Sequence, residues 1–322
     1  MDQSTSRIVQ QLKGLRGRDF LTLRDLEPRE IEGLLDLAAA LKAERGRGQL
    51  RRDLEGKTVA LLFFKPSTRT RISFELAARE LGAFTLYLNA QEMQLSRGES
   101  VEDTARVLAR YVHAVVIRTF GHEQLERFAQ WSSVPVINAL TDSYHPAQVL
   151  ADLLTLKERF GRLKGLRLAY VGDGNNVAHS LMIGGAKMGM HVVVSTPEAY
   201  RPDPEVTAAA AAIAASTGGS VVHEVDPRAA VQGAQAIYTD TWVSMGQEAE
   251  QEERLKAFAG YQVDGTLVAA AAEDAVVMHD LPAYKGKEIA ADVFEGPRSV
   301  IFDQAENRLH AQKALLLAIL GQ

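Results

Sequence analysis

The feature that most constrains this chain is an alternation. Short apolar runs, KTVALLFF (57–64), FTLYL (84–88), AVVI (114–117) and VPVIN (134–138), are separated by stretches whose apolar residues recur at helical spacing. A second series follows: LRLAYVGDG (166–174), HVVVST (191–196), SVVHEV (220–225), AQAIYTD (234–240) and DAVVMHD (274–280). Runs this short, bounded by turn residues, read as buried strands, and strand–helix–strand order at this spacing requires parallel sheets with right-handed crossovers. The expected fold is therefore α/β, with two parallel-sheet domains of similar size joined by long helices and the active site in the cleft between them. The boundaries fall at 1–148, completed by a C-terminal helix at about 300–322, and at 149–299. A length of 322 residues suits two domains of roughly 150 residues each.

The intervening helices carry their own signals. Pro28 with Glu27, Glu30 and Glu32 opens a helical pattern that runs to about Arg45, before Gly46 and Gly48. After Pro66, residues Phe74, Ala77, Ala78 and Leu81 repeat at i, i+3, i+4, i+7 and stop at Gly82. Helices are also expected from about Ser100 to Tyr111, near 122–131, and along Val149, Leu153, Leu156 and Phe160 to Gly161. AAAAAIAA (208–215) reads as an Ala-rich helix.

Composition then removes whole classes of chemistry. The chain has no cysteine, which excludes disulfides, a thiolate nucleophile and Cys-ligated metal. Its net charge of −5 offers no basic footprint for nucleic acid. The segment MDQSTSRIVQQLKG lacks the apolar core of a signal peptide, and no 18-residue apolar run occurs, so no membrane partner and a cytoplasmic address are expected.

In parallel α/β folds ligands gather at the carboxyl ends of strands, and five unusual motifs stand there. PSTRT (66–70) closes one strand and opens a helix, where free backbone N–H groups and the helix dipole suit an anion. Ser67, Thr68 and Thr70 add hydroxyls and Arg69 a planar fork matched to phosphate. Taken alone, an N-cap at Ser67 or Thr68 with solvated arginines explains the motif equally well. YHPAQ (144–148) places His145 and Gln148 at the start of the long helix, where a capping histidine is the simpler reading. GDGNNVAHS (172–180) follows a strand, yet Val177 stands where a dinucleotide fingerprint needs its third glycine, which leaves a dehydrogenase as the runner-up. YTDTWVSMG (238–246) sets Asp240 at a strand end before a small flexible loop, and MHDLPAYKG (278–286) does the same with His279 and Asp280.

Together, FKPSTRTR, GESVEDTARVLARY, HPAQ, DGNN, the D-x-x-x-SMG of 240–246, H-x-LP and ENRLHAQKA resemble, in order and over nearly the whole chain, the carbamoyltransferase family. The SMG loop points to its ornithine branch. The resemblance implies transfer of a carbamoyl group from carbamoyl phosphate to the δ-amine of L-ornithine, giving L-citrulline and phosphate for arginine synthesis, with no cofactor and no metal. It implies that the first domain binds carbamoyl phosphate and the second ornithine. Ser67, Thr68, Arg69, Thr70 and Arg118 would hold the phosphate, helped by the loop before Glu99 from a neighbouring subunit of a homotrimer. Thr70, Arg118 and His145 would polarise the carbonyl, Gln148 and Leu281 would hold the carbamoyl group, and Arg308 would help neutralise the leaving phosphate. Asn176, Asp240, Ser244 and Met245 would grip ornithine. Arg118, His145 and Asp280 carry the catalytic roles. Where the family has a cysteine against the attacking amine, this chain has Asp280. Two other functions stay open on the residues: a different amine acceptor such as putrescine, and a non-catalytic carbamoyl phosphate-binding homologue.

Overall fold

The computed structural model describes residues 3–49 and 51–321; Met1, Asp2, Leu50 and Gln322, and so the head of the polar N-terminal segment, lie outside the described residues. The chain divides into two compact units. One takes in the chain up to Leu154 and from Asn307 onward, the other Thr155–Glu306.

The first unit is built on a four-stranded sheet of β1 (Thr58–Phe63), β2 (Phe84–Asn89), β3 (Ala114–Arg118) and β4 (Val136–Leu140), in the order β2-β1-β3-β4. Every pairing is parallel. Among the described residues its helices are α1 (Gln3–Gln11), α2 (Pro28–Gly46), α3 (Thr68–Glu80), α4 (Val101–Leu108), α5 (His122–Trp131), the start of α6 (Pro146–Phe160) and the later part of α13 (Ile301–Leu320). Helix α3 illustrates how the sequence writes them. Ser67 caps its N-terminus by accepting from the Thr70 amide at 3.3 Å, and Phe74, Ala77, Ala78 and Leu81 are fully buried on one face. Each large apolar side chain buried in this way contributes about 1.5–3 kcal/mol. Gly82 then turns the chain at φ +87°, a left-handed conformation that glycine alone adopts readily.

The second unit holds a five-stranded parallel sheet of β5 (Arg167–Val171), β6 (His191–Ser195), β7 (Ser220–Glu224), β8 (Ala236–Thr239) and β9 (Val276–His279), ordered β7-β6-β5-β8-β9. Among the described residues its helices are the rest of α6, then α7 (Asn176–Lys187), α8 (Pro204–Thr217), α9 (Pro227–Val231), α10 (Gln251–Ala257), α11 (Gly265–Ala269), α12 (Ala291–Phe294) and the start of α13 (Ile301–Leu320). The predicted pair of parallel α/β layers is thus observed, and α6 and α13 are the helices within which the chain passes from one unit to the other.

Three local differences have physical causes. The fourth strand begins at Val136, two residues later than the apolar run: Pro135 has no N–H to give, and the Val136 amide is taken by Asp19 at 2.8 Å. The helix expected over 100–111 ends at Leu108 and closes through turns to Tyr111. Helix α1 escapes the periodicity reading because few of its residues are apolar; Thr5 bonds Glu44 of α2 at 2.9 Å and Val9 is buried. No helix among the described residues is long and apolar enough to cross a membrane.

Candidate active site

Strand register sets the first half of the site. Phe63 pairs with Arg118, and the Phe64 amide donates to the Arg118 carbonyl at 2.8 Å, so β1 and β3 end level. The chain leaves β1 through Lys65 and Pro66 into the first turn of α3, which carries Ser67, Thr68, Arg69 and Thr70. Thr68 is exposed, Ser67 and Arg69 are half-buried, and Thr70 is fully buried. Arg308 of α13 donates from Nη2 to Thr70 Oγ1 at 2.8 Å, across 238 residues of sequence. His145, just ahead of α6, is buried, and its carbonyl accepts the Gln148 amide. Gln148 Nε2 donates to Asp152 at 2.9 Å, while its buried Oε1 accepts from none of the described residues.

The field in this half is positive. Burial holds the His145 pKa well below that of an ordinary histidine, and the charges of Arg308, Arg118 and Lys65 push it the same way. His145 is therefore neutral at physiological pH and offers one N–H and one lone pair. Lys65 is buried, pairs with Asp142 at 2.7 Å and lies 4.5 Å from the Phe120 ring centroid. Burial lowers its pKa, against the pull of Asp142. Sequence reading passes over Lys65, although a cation placed directly before an anion-cradling turn is a readable signal. The structure brings Thr70, Arg118, His145 and Arg308 into one buried cluster, beside the helix start that bears Ser67, Thr68 and Arg69.

The second unit repeats the logic with opposite sign. Strands β5, β8 and β9 end together: Tyr170 pairs with Tyr238, Thr239 with His279, and Thr239 Oγ1 donates to the Val171 carbonyl at 2.7 Å. At these ends stand Asp173, Asn175, Asp240, His279 and Asp280. Asn175 caps α7 by accepting from the amides of Val177 and Ala178, and its Nδ2 donates to Asp240 Oδ2 at 2.6 Å. Asp240 Oδ1 takes the Thr241 amide at 2.6 Å. The direct partner of Asp240 is thus Asn175, the N-cap; Asn176, picked out from the sequence, is the next residue and half-buried. A side chain that can cap a helix just after a glycine turn was the available signal. Ser244 is half-buried, its amide held by Gln247 Oε1 at 3.0 Å, whereas Met245 is 47% exposed on the loop.

Asp173 and Tyr170 report how acidic this half is. Burial pushes the Asp173 carboxyl up to about 6, outweighing the Arg254 guanidinium 2.8 Å away, with Asp240 and Glu250 adding to the rise. The buried Tyr170 hydroxyl is held well above its usual range by burial and by Asp240, Asp173 and Asp280. His279 Nδ1 accepts the Leu281 amide at 2.9 Å, so the ring proton sits on Nε2 and faces Glu288 Oε1 at 3.2 Å. Leu281 itself takes φ +64°, unusual for a residue with a branched side chain. Donor atoms of Asp240, His279 and Asp280 lie within 4.8 Å of one another, close enough to bind a metal. Both His279 nitrogens are committed inside the chain, however, which leaves two carboxylates as ligands and makes a cationic organic group the better fit. Lys285 pairs with Glu295 and lies over the Phe294 ring.

Comparison with known proteins gives the family of both units. Residues 18–158 match the carbamoyl-P binding domain of aspartate/ornithine carbamoyltransferases, and residues 164–319 match their Asp/Orn binding domain. An ornithine carbamoyltransferase of Symbiobacterium thermophilum is 56% identical over 307 residues, covering 95% of this chain and 99% of that protein. One from Thermococcus kodakarensis is 54% identical over 307 residues, 95% of this chain and 98% of its own. The solved structure of ornithine carbamoyltransferase from Pyrococcus furiosus superposes with a TM-score of 0.93 at 53% identity, over 95% of this chain and 98% of that one. The chain belongs to the aspartate/ornithine carbamoyltransferase family.

Proposed function

We propose that this protein is an enzyme that transfers the carbamoyl group of carbamoyl phosphate to the δ-amine of L-ornithine, releasing L-citrulline and phosphate in arginine synthesis. The observation that carries the reading is the buried cationic cluster of Arg118, Arg308 and neutral His145 around Thr70, at the amino end of α3. Phosphate binds the α3 terminus through Ser67, Thr68, Arg69 and Thr70, with Arg118. The carbamoyl oxygen points to Thr70, Arg118 and His145. Because Thr70 Oγ1 already accepts from Arg308, its hydroxyl hydrogen is free to be given to the substrate. Gln148 Oε1 accepts from the carbamoyl amide, and Leu281 contributes through its backbone.

As the amine attacks, the C–N bond forms, negative charge gathers on the carbonyl oxygen, and the C–O bond to phosphate breaks. Donors fixed at that oxygen stabilise this arrangement more than the bound substrate. A neutral His145 donates a hydrogen bond there without giving up its proton. The amine loses one proton to solvent before attacking, since its unperturbed pKa is near ~10.4, and as the C–O bond breaks the nitrogen gives up a second proton, which the departing phosphate accepts. Ornithine is held by its α-carboxylate and α-amine through Asn176, Asp240 and the backbone of Ser244 and Met245, with Asp280 beside the reacting nitrogen. Two carboxylates gathered at the ends of β8 and β9 support a diamine-like acceptor over aspartate. Arg69→Ala removes most turnover under this reading.

We also infer a cytoplasmic homotrimer. The edge strand β2 exposes Phe84 and Leu86, and α3 beside it exposes Ile72 and Leu76, an apolar surface that a second copy would cover. The loop 96–100 is exposed throughout and supplies the reach toward a neighbouring subunit. A citrulline colour assay with ornithine, putrescine, aspartate and acetylornithine tests the activity; citrulline formation with ornithine alone is expected, and its absence overturns the reading. A stable, fully active monomer in sedimentation would refute the trimer.

A further inference from the structure

Arg254, on α10, lies ten residues beyond Ser244 and belongs to none of the motifs above. It is only 6% exposed, although nothing in its local sequence, QEERLKA, marks it for burial. Its Nη1 donates to Asp173 Oδ2 at 2.8 Å and to the Trp242 carbonyl at 3.2 Å; its Nε donates to Glu250 Oε2 at 3.0 Å. The guanidinium also lies 4.9 Å from the Tyr200 ring centroid. Around it the aromatic rings form a continuous wall: Trp242 stacks on Phe258 at 5.7 Å, and Tyr200 meets Phe258 at 4.9 Å. Tyr200 is tied in turn to the DGNN turn, where its carbonyl accepts the Gly174 amide at 3.0 Å. A Cβ on Gly174 would come within 2.3 Å of Pro202, so that turn and residues 200–202 are in close contact.

The three hydrogen-bond partners of Arg254 are not equivalent. Trp242 immediately precedes the segment 243–249, Glu250 immediately follows it, and Asp173 is two residues beyond β5. One planar fork therefore joins both ends of the loop that carries Ser244 and Met245 and fixes them to the sheet. Between those ends Thr241 Oγ1 donates to the Val243 carbonyl at 3.1 Å, and Ser244 and Gln247 bond each other. At its tip Gly246 takes φ +96° and Met245 is exposed.

We infer that Arg254 is a positioning residue for the acceptor: by pinning both ends of the 243–249 loop to Asp173, it sets how tightly the loop holds the amine substrate. The inference rests on the proposed acceptor role of that loop. Lysine cannot replace this arginine, because a single ammonium does not reach three acceptors in a plane.

The test separates the two layers. In steady-state assays Arg254→Gln raises KM for ornithine about tenfold or more, with KM for carbamoyl phosphate within about twofold of the parent; Asp173→Asn shifts the same constant less, and Arg254→Lys falls between parent and Arg254→Gln. A Glu-specific protease, with cuts mapped by mass spectrometry, cleaves within 246–253 several-fold faster in Arg254→Gln than in the parent; this readout needs no substrate. A part-by-part loss, with both KM values rising equally or the cleavage rate unchanged, overturns the inference. Should Arg254→Gln fail to fold, Asp173→Asn and Arg254→Lys give the same two readouts. A parent that makes no citrulline from ornithine defeats the proposed function, while the protease result still decides whether Arg254 holds the loop.

Discussion

The two half-sites are built from the same strand ends and carry opposite charge. In the first unit Lys65, Arg118 and Arg308 gather around a neutral histidine; in the second, Asp173, Asp240 and Asp280 gather around the Tyr170 hydroxyl. The first is carried by regular elements and mostly buried. The second ends in a loop with its tip in solvent. The difference teaches where each type of ligand recognition can be placed. A phosphate is small, rigid and doubly charged, so donors fixed on helix starts serve it without rearrangement. A flexible amino acid with two ammonium groups needs carboxylates for charge and an adjustable segment for shape.

The sharpest way to break this contrast is on the cationic side. Arg69→Ala deletes the planar phosphate contact that the proposed function assigns to it without emptying a core, and we expect kcat/KM for carbamoyl phosphate to fall by about 10²–10³ with the fold retained. An unchanged value would show that the helix start does not hold the phosphate.

On the anionic side, Asp280 and Asp240 stand close together, and in the proposed function they favour the charged form of the acceptor amine and raise its pKa, so that attack would demand higher pH. Asp280→Cys is expected to move the optimum of kcat/KM for ornithine to lower pH by about one unit. A profile superimposable on the parent's would remove Asp280 from control of the amine.

A smaller effect sharpens the electrostatic reading of His145. Its folded pKa lies below its unfolded value, so between the two the unfolded chain binds the extra proton. Stability is therefore intact above the unfolded pKa of about 6.5 and declines as pH falls below it, by up to about 1.4 kcal/mol per pH unit. Denaturant melts of the parent and of His145→Gln from pH 7.5 to 5 check this; the variant's stability should fall less steeply, and equal slopes would mean that His145 protonates as easily folded as unfolded. The smallest effect concerns the cap: Ser67→Ala should cost about 1 kcal/mol of stability through the lost bond to the Thr70 amide, read as a lower denaturation midpoint with unchanged slope.

The layers of this fold are legible in the sequence because buried parallel strands are nearly unbroken apolar runs and glycines close their helices. Helix α1 is not, since its partner on α2 is chosen by tertiary contact between Thr5 and Glu44 rather than by an apolar stripe. The candidate site is legible where chemistry is local: PSTRT, HPAQ and the strand-end aspartates announce themselves. It is opaque where one residue reaches across the chain. Nothing in QEERLKA foretells that Arg254 folds inward to Asp173, 81 positions away, and nothing around Asn175 names Asp240 as its partner. Long-range pairing is decided by the assembled sheet, which a local window does not contain.

The bond between Thr70 and Arg308 has a consequence for how the protein is made. Thr70 is synthesised early, and the whole of Thr155–Glu306 is translated before Arg308. On the ribosome the second unit has all its residues, and can fold as a block, while the first still lacks the segment from Asn307 onward. Loop closure over such a distance is entropically costly and slow, so the Thr70–Arg308 bond is expected to form late in folding. A nascent chain halted just short of Arg308 would hold a finished ornithine half and an unfinished carbamoyl phosphate half.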